Sequence, residues 1–177
     1  MKEFWDQRYQ SEAFAYGENA NDFLVEQLQK ITPGAILFPA EGEGRNAVYA
    51  ATKSWQVTAF DISLQGQKKA LQLAQKNKVE IKYLVGDLEN EINLAFTPES
   101  FDAIAFIYAH FPAKLKHNYH GILNQFLKKG GVVIFEAFSK NHLDYQAKND
   151  KIGGPKELDM LYSIEEIKAY FPNFEIL

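Results

Sequence analysis

The 177-residue sequence predicts a doubly wound α/β fold, a mostly parallel sheet with helices on both faces. Three observations carry the prediction. Short apolar runs alternate with amphipathic stretches from Ala35 to Phe138. One of them, "FDAIAFIYA", is apolar almost throughout, as in a strand covered on both faces. The first run opens onto a glycine loop, "PAEGEGRN", at the head of a helix. Such folds bind ligands where the strand C-termini meet one edge.

Each element has a local reason. Residues Lys2 to Gln10 form a short aromatic-rich helix. "NANDFLVEQLQKI" is a second, capped by Asn19 or Asn21, with Ala20, Phe23, Leu24, Leu28 and Ile31 on one face. Pro33-Gly34 turns the chain into the strand "AILF". After the loop, a helix runs from about Arg45 to Thr52. "WQVTAF" is a strand ending at Asp61, and "SLQGQKKALQLAQKN" a helix with Leu64, Ala70, Leu71 and Ala74 inward and its lysines outward. "VEIKYLVG" ends at Asp87. After the apolar fourth strand, "AKLKHNYHGILNQFLKK" reads as a helix closed by Gly130-Gly131, with His117 and His120 on its surface. "GVVIFEAF" is the fifth strand. Ser139 to Tyr162 is polar and aperiodic, as in an active-site lid or a disordered segment; as a lid, Gln146 and the Gly153-Gly154-Pro155 turn are its functional points. Ser163 and Glu166 have capping-box spacing, and "FEIL" reads as the start of a strand.

Length predicts one domain over 1–177. The net charge of −4 without a basic stripe argues against nucleic acid as a partner. Zero cysteines exclude disulfides and a thiolate nucleophile. No apolar run suits a membrane span or signal core, so a cytoplasmic protein without membrane contact is expected, and no metal site.

The glycine loop poses a chemical question, because Glu41 and Glu43 flank Gly42 and Gly44. A carboxylate about 4 Å from a phosphate costs roughly 1–4 kcal/mol per charge pair. That disfavours a dinucleotide, although Gly42, Gly44 and Ala47 fit a relaxed dinucleotide fingerprint. S-adenosylmethionine has no phosphate and two positive groups. Its methionine carboxylate suits a helix N-terminus. Asp61, 17 residues after Gly44, is spaced to accept from ribose hydroxyls, and Asp87 from the adenine amino group, with Ile62 and Leu88 against the ring. Either acid can instead be only a cap or turn residue.

The motifs "WDQRY", "YGENANDFL", "PAEGEGRNAVYAA", "FDIS", "GDLEN", "FDAIAFIYAHFP" and "GGVVIFEAFS" span almost the whole chain. On these the sequence resembles the class I S-adenosylmethionine-dependent methyltransferases, most of all the tellurite-resistance and thiopurine branch. The resemblance implies a Rossmann-like seven-stranded fold. In it Ala40, Glu41, Gly42, Gly44 and Asn46 belong to the cofactor loop, Asp61 binds ribose, and Asp87 with Leu88 binds adenine. Ile107 lies beneath the methyl donor, and Tyr16 with the first helix covers the cofactor. Phe38 and Ala40 replace the usual acid and first glycine, and Glu41 either restores a carboxylate near the α-ammonium or points to solvent. The terminal hairpin is missing or truncated, so an exposed sheet edge predicts a homo-oligomer.

Methyl transfer needs alignment and exclusion of water more than a catalytic triad. His110 is the best proton acceptor near the fourth strand end, and Tyr16 joins Trp5, Tyr9 and Phe14 as aromatic faces toward a sulfonium. The candidate catalytic residues are therefore His110 and Tyr16. The expected acceptor is a small soft molecule: a thiol, a heteroaromatic thione or a chalcogen oxyanion. A nicotinamide-dependent oxidoreductase and a cofactor-binding module without turnover are the alternatives.

Overall fold

The computed structural model describes residues 1–177, with Glu91 and Leu94 described by backbone alone. Five parallel strands form one sheet: β1 Ala35–Pro39, β2 Gln56–Asp61, β3 Lys82–Val85, β4 Phe101–Ile107 and β5 Leu127–Glu136. Their spatial order is β3-β2-β1-β4-β5. The helices are α1 Lys2–Tyr9, α2 Asp22–Leu28, α3 Arg45–Thr52, α4 Leu64–Lys76, α5 Ala113–Asn124, α6 His142–Lys148 and α7 Ile164–Tyr170. A π-helical turn, Leu88–Ile92, follows β3.

The sheet separates two cores. Ile36, Phe38, Ala103, Ala105, Ile107 and Ile134 face Leu24 and Leu28 of α2 and Ala47 and Ala50 of α3. Leu37, Ile104 and Phe106 face Tyr119 and Leu123 of α5 and Phe171. None of the described helices is long and apolar enough to cross a membrane.

Several expectations are corrected. Asn21 caps α2 by accepting from the Leu24 amide, so Ala20 and Ile31 lie outside the helix and Phe23 is exposed. In α4 Ala70 and Ala74 face inward as expected, but Leu64 and Leu71 are exposed, and Gly66, Lys69 and Leu73 are buried in their place. Small residues win because α4 presses on the glycine loop. A Cβ on Gly66 would stand 2.8 Å from the Gly42 carbonyl oxygen. The helix expected through Lys129 stops at Asn124, because the Phe126 carbonyl accepts from the Ser100 and Phe101 amides and turns the chain into β5. His120, expected on the surface, is fully buried between Phe106 and Tyr170. The sheet has five strands where the resemblance implied seven, and "FEIL" is not a strand. The Ser139–Tyr162 segment is not structureless: α6 and a 3₁₀ turn, Leu158–Met160, lie within it. The capping box of Ser163 and Glu166 is present.

Candidate active site

The strand order reverses between β1 and β4. A crevice outside the strand C-termini at such a switch is the general ligand site of open α/β sheets. The loop after β1 and the segment after β4 flank it.

Ala40, Gly42 and Gly44 all adopt the left-handed backbone region, at φ 51°, 65° and 84°. Glycine does so freely, whereas alanine costs roughly 1–2 kcal/mol. Ala40 thus carries the strain of a conformation that glycine would adopt freely. Neither glycine has room for a side chain. A Cβ on Gly42 would stand 2.6 Å from the Tyr9 hydroxyl, and one on Gly44 2.4 Å from the Ala70 Cβ. The loop therefore packs against α1 and α4 on one side, and Tyr83 donates to the Gly42 carbonyl.

The two acids of the loop have separate tasks, and neither is free. Glu41 Oε1 accepts from the amides of Asn46 and Ala47, 2.9 Å each. It fills the N-terminus of α3, so it neither reaches for a ligand ammonium nor points to solvent. The helix N-terminus expected to meet a methionine carboxylate is closed by the chain's own carboxylate, as it is to a pyrophosphate. Glu43 is buried and pairs with Lys69 Nζ at 2.6 Å, while its other oxygen accepts from the Ala15 amide at 2.8 Å. Lys69 also donates to the Ala13 carbonyl and lies 4.9 Å over the Phe14 ring. The charge of Glu43 is spent on fastening the N-terminal segment to α4. Asn46 does similar work, its Oδ1 accepting from the Asn21 amide at 2.9 Å.

Asp61 stands at the end of β2, buried, with one oxygen accepting from Gly42 N at 3.0 Å and the other from Ser63 N at 2.9 Å. Each carboxylate oxygen keeps a second lone pair. Burial pushes its carboxyl up to about 6, against the backbone bonds that pull it down. The same desolvation pushes Glu41 up to about 7. Asp87 follows β3. Its Oδ1 accepts from Glu89 N, and its Oδ2 from the Tyr119 hydroxyl at 3.0 Å. Ile62 is half-buried and Leu88 buried beside these acids in sequence.

On the other side, Ile107 is buried and pairs in register with Glu136 of β5. Tyr108 follows with φ 55°, a strained conformation for a bulky residue. Its hydroxyl donates to Glu136 Oε1 at 3.1 Å, and its amide to the Glu136 carbonyl at 2.7 Å. His110 has both ring nitrogens engaged. Nε2 accepts from the Phe138 amide at 3.2 Å, which leaves Nδ1–H to donate to the Met160 carbonyl at 2.9 Å. Desolvation lowers its pKa, against the Met160 bond that raises it. His110 therefore clasps the segment after β5 as a neutral ring, and no nitrogen remains for a substrate proton in this arrangement. Tyr16 is 51% exposed, stacked under the Arg8 guanidinium at 5.4 Å, with its carbonyl accepting from Arg45. Among the described residues no hydrogen bond or ring contact joins it to His110.

Three participants escaped the sequence reading: Lys69, Arg45 and Glu136. Glu136 had a signal, since it is an acid at a strand C-terminus like Asp61 and Asp87. Two open depressions of about 470 and 510 Å³ lie elsewhere, at the strand N-termini around Gln56 and Phe101 and along the end of α4. They touch none of these residues.

Residues 36–131 match the family model described as a methyltransferase domain. The chain belongs to that family of enzymes. Its match covers β1 through the start of β5, the part that carries the loop, both acids and the β4 end. No curated protein matches the sequence. Solved structures share the fold at low identity. One, from work on conversion of a disulfide bond into a thioacetal group during echinomycin biosynthesis, is 20% identical with a TM-score of 0.74, over 97% of this chain and 77% of that one. TehB from Haemophilus influenzae is 19% identical, TM-score 0.66, over 98% and 55%. A methyltransferase from Geobacter sulfurreducens in complex with S-adenosyl-L-homocysteine is 15% identical, TM-score 0.64, over 96% and 68%. The chain spans little more than half the length of the Haemophilus protein.

Proposed function

We propose that this methyltransferase-family chain transfers a methyl group from S-adenosylmethionine to a small soft nucleophile in the crevice between the β1 and β4 ends. The observation that carries the reading is the pair of acids, Asp61 and Asp87, at the ends of β2 and β3 beside the left-handed loop. The free lone pairs of Asp61 suit ribose hydroxyls, and Asp87 with Leu88 and Ile62 suits adenine. Ala40, Gly42 and Gly44 line the methionine moiety, with Ile107 beneath the methyl group. Glu41 and Asn46 act one step back, by holding the head of α3 and the N-terminal segment in place. The methionine carboxylate is left to Arg45, whose bonds to Tyr16 and Asn19 use only Nη1 of its donors. Bound S-adenosylmethionine supplies an electrophilic methyl group; the chain aligns, desolvates and orients.

Thiols, heteroaromatic thiones and chalcogen oxyanions form the acceptor class, in keeping with the tellurite-resistance-like motifs. Tyr16 covers the cofactor as an aromatic face, and His110 holds the acceptor side closed. A nicotinamide enzyme is disfavoured on a specific ground, since Glu41 occupies the amides a pyrophosphate would need.

Calorimetry tests the reading. S-adenosylmethionine should bind, and Asp61→Ala should weaken it by about tenfold or more, the worth of hydrogen bonds to a charged group. No binding to the wild-type chain at millimolar cofactor would refute it. An Asp61→Ala variant with unaltered affinity would reduce that acid to a loop tie.

A further inference from the structure

The strand-end carboxylate not yet given a task is Glu136. It pairs with Ile107 across the β4–β5 register and shares the sheet face of Ile107 and Ile134, toward α2 and α3. Its two oxygens differ. Oε1 accepts from the Tyr108 hydroxyl. Oε2 is buried and has no hydrogen-bond partner among the described residues. A buried carboxylate oxygen without a donor is costly, and native structures hold few such atoms. Its companion Tyr108 is strained in the left-handed region and 38% exposed. Strain of that kind collects where a side chain is held in place for function. The pair therefore stands at the adjacent ends of β4 and β5, with one acceptor atom lacking a donor.

We propose that Glu136 is the acceptor-side base, and that the acceptor is a neutral molecule carrying an acidic proton: a thiol, or a heteroaromatic thione with a ring N–H. This rests on the methyl-transfer reading above. The acceptor N–H or S–H donates to Oε2. Its sulfur then forms a bond to the methyl carbon as the bond from that carbon to the sulfonium breaks. The departing sulfur keeps the electron pair and leaves neutral. The acceptor's proton passes to Oε2 and is later lost to water. A chalcogen oxyanion is already negative and would meet the carboxylate's charge, so it becomes the disfavoured member of the class. Tyr108 is a positioning residue, which fixes Glu136 through Oε1 and leaves Oε2 to the acceptor. The other charged and titratable groups nearby are Arg45, whose positive charge reaches Tyr108, and His110, a neutral ring stacked at 6.5 Å from it.

The test compares two acceptors on the full chain, pyridine-2-thione, which carries its proton at neutral pH, and 4-nitrothiophenol, which is already ionised. Glu136→Gln should bind S-adenosylmethionine like the wild type. Its turnover should fall about a hundredfold with the thione, the usual range for a lost general base, and hold or rise with the ionised thiol, which has no proton to give and no longer meets a negative charge. Tyr108→Phe should show the same contrast, more weakly. Binding gives an independent readout. In the S-adenosylhomocysteine complex the wild type should prefer pyridine-2-thione over its N-methyl analogue by about tenfold, and Glu136→Gln should lose most of that preference. Equal losses with both acceptors would make Glu136 structural and overturn the proposal, as would no loss with either. Methylation of tellurite or selenite but of no thiol or thione would overturn it while leaving methyl transfer intact. A wild-type chain that binds no S-adenosylmethionine would remove the underlying reading and this one with it.

Discussion

Glu41 shows how a single residue can be legible in type and illegible in role. Its position beside Gly42 marks a polar loop, and a ligand ammonium or solvent were the destinations the sequence allowed. The fold instead supplies two unpaired α3 amides within reach, and local hydrogen bonds of that kind form wherever the geometry permits. The arrangement has a pH signature. Desolvation raises the Glu41 carboxyl to about 7 and that of Asp61 to about 6. Both therefore bind protons more tightly folded than unfolded. Between the ordinary carboxylate range and about 7 the folded chain holds more protons, so their contribution to stability falls as pH rises through that window. Urea denaturation at a series of pH values should show this decline, and Glu41→Gln should flatten its upper part. A wild-type curve that rises throughout that window would show that these carboxyls are not desolvated in the folded chain.

At the scale of elements, the N-terminal segment is the part most dependent on specific polar contacts. Asp6 of α1 accepts from the Ser63 hydroxyl and the Gln65 amide at the head of α4. Ala13 and Ala15 are tied to Lys69 and Glu43, and Asn21 to Asn46. The buried Glu43–Lys69 pair is the central fastening. Breaking such a pair from one side leaves an uncompensated charge and costs about 3–5 kcal/mol. Lys69→Met should therefore lower unfolding stability by that amount, with Glu43→Gln/Lys69→Met recovering much of it. A single-variant loss below about 1 kcal/mol would mean that the pair behaves as a surface bridge. Elements with strong periodicity or caps are legible in the sequence: β1, β2, α3, a cap of α2 at Asn19 or Asn21, and the Ser163 capping box. The inward face of α4 is readable only in part, at Ala70 and Ala74. Its burial is set by Gly66 and Ala70 meeting the glycine loop, and by a lysine drawn inward to Glu43. At the end of α5, Phe126 looks helical in sequence, yet its carbonyl accepts from the Ser100 and Phe101 amides and starts β5 there.

For the whole molecule, β5 pairs only with β4, so its outer edge has no strand partner among the described residues. Open edges are sites of pairing between chains. Self-association through this edge is the expected outcome, with a light-scattering mass above that of one chain at high concentration; a strictly monomeric mass would count against it. The sequence by itself determined the α/β class, the loop at the end of β1, the acids at the ends of β2 and β3, and the apolar heart of β4. These follow from local rules: alternation of periodicities, the conformations only glycine adopts freely, and the burial of a strand covered on both faces. Tertiary structure alone decided which polar groups are already taken. It closed the head of α3 with Glu41, neutralised Glu43 with Lys69, engaged both nitrogens of His110 and left one oxygen of Glu136 without a donor. Those outcomes depend on partners 5 to 50 residues away along the chain. Hydrogen-bond satisfaction is a property of three-dimensional proximity, and no spacing along the sequence encodes it.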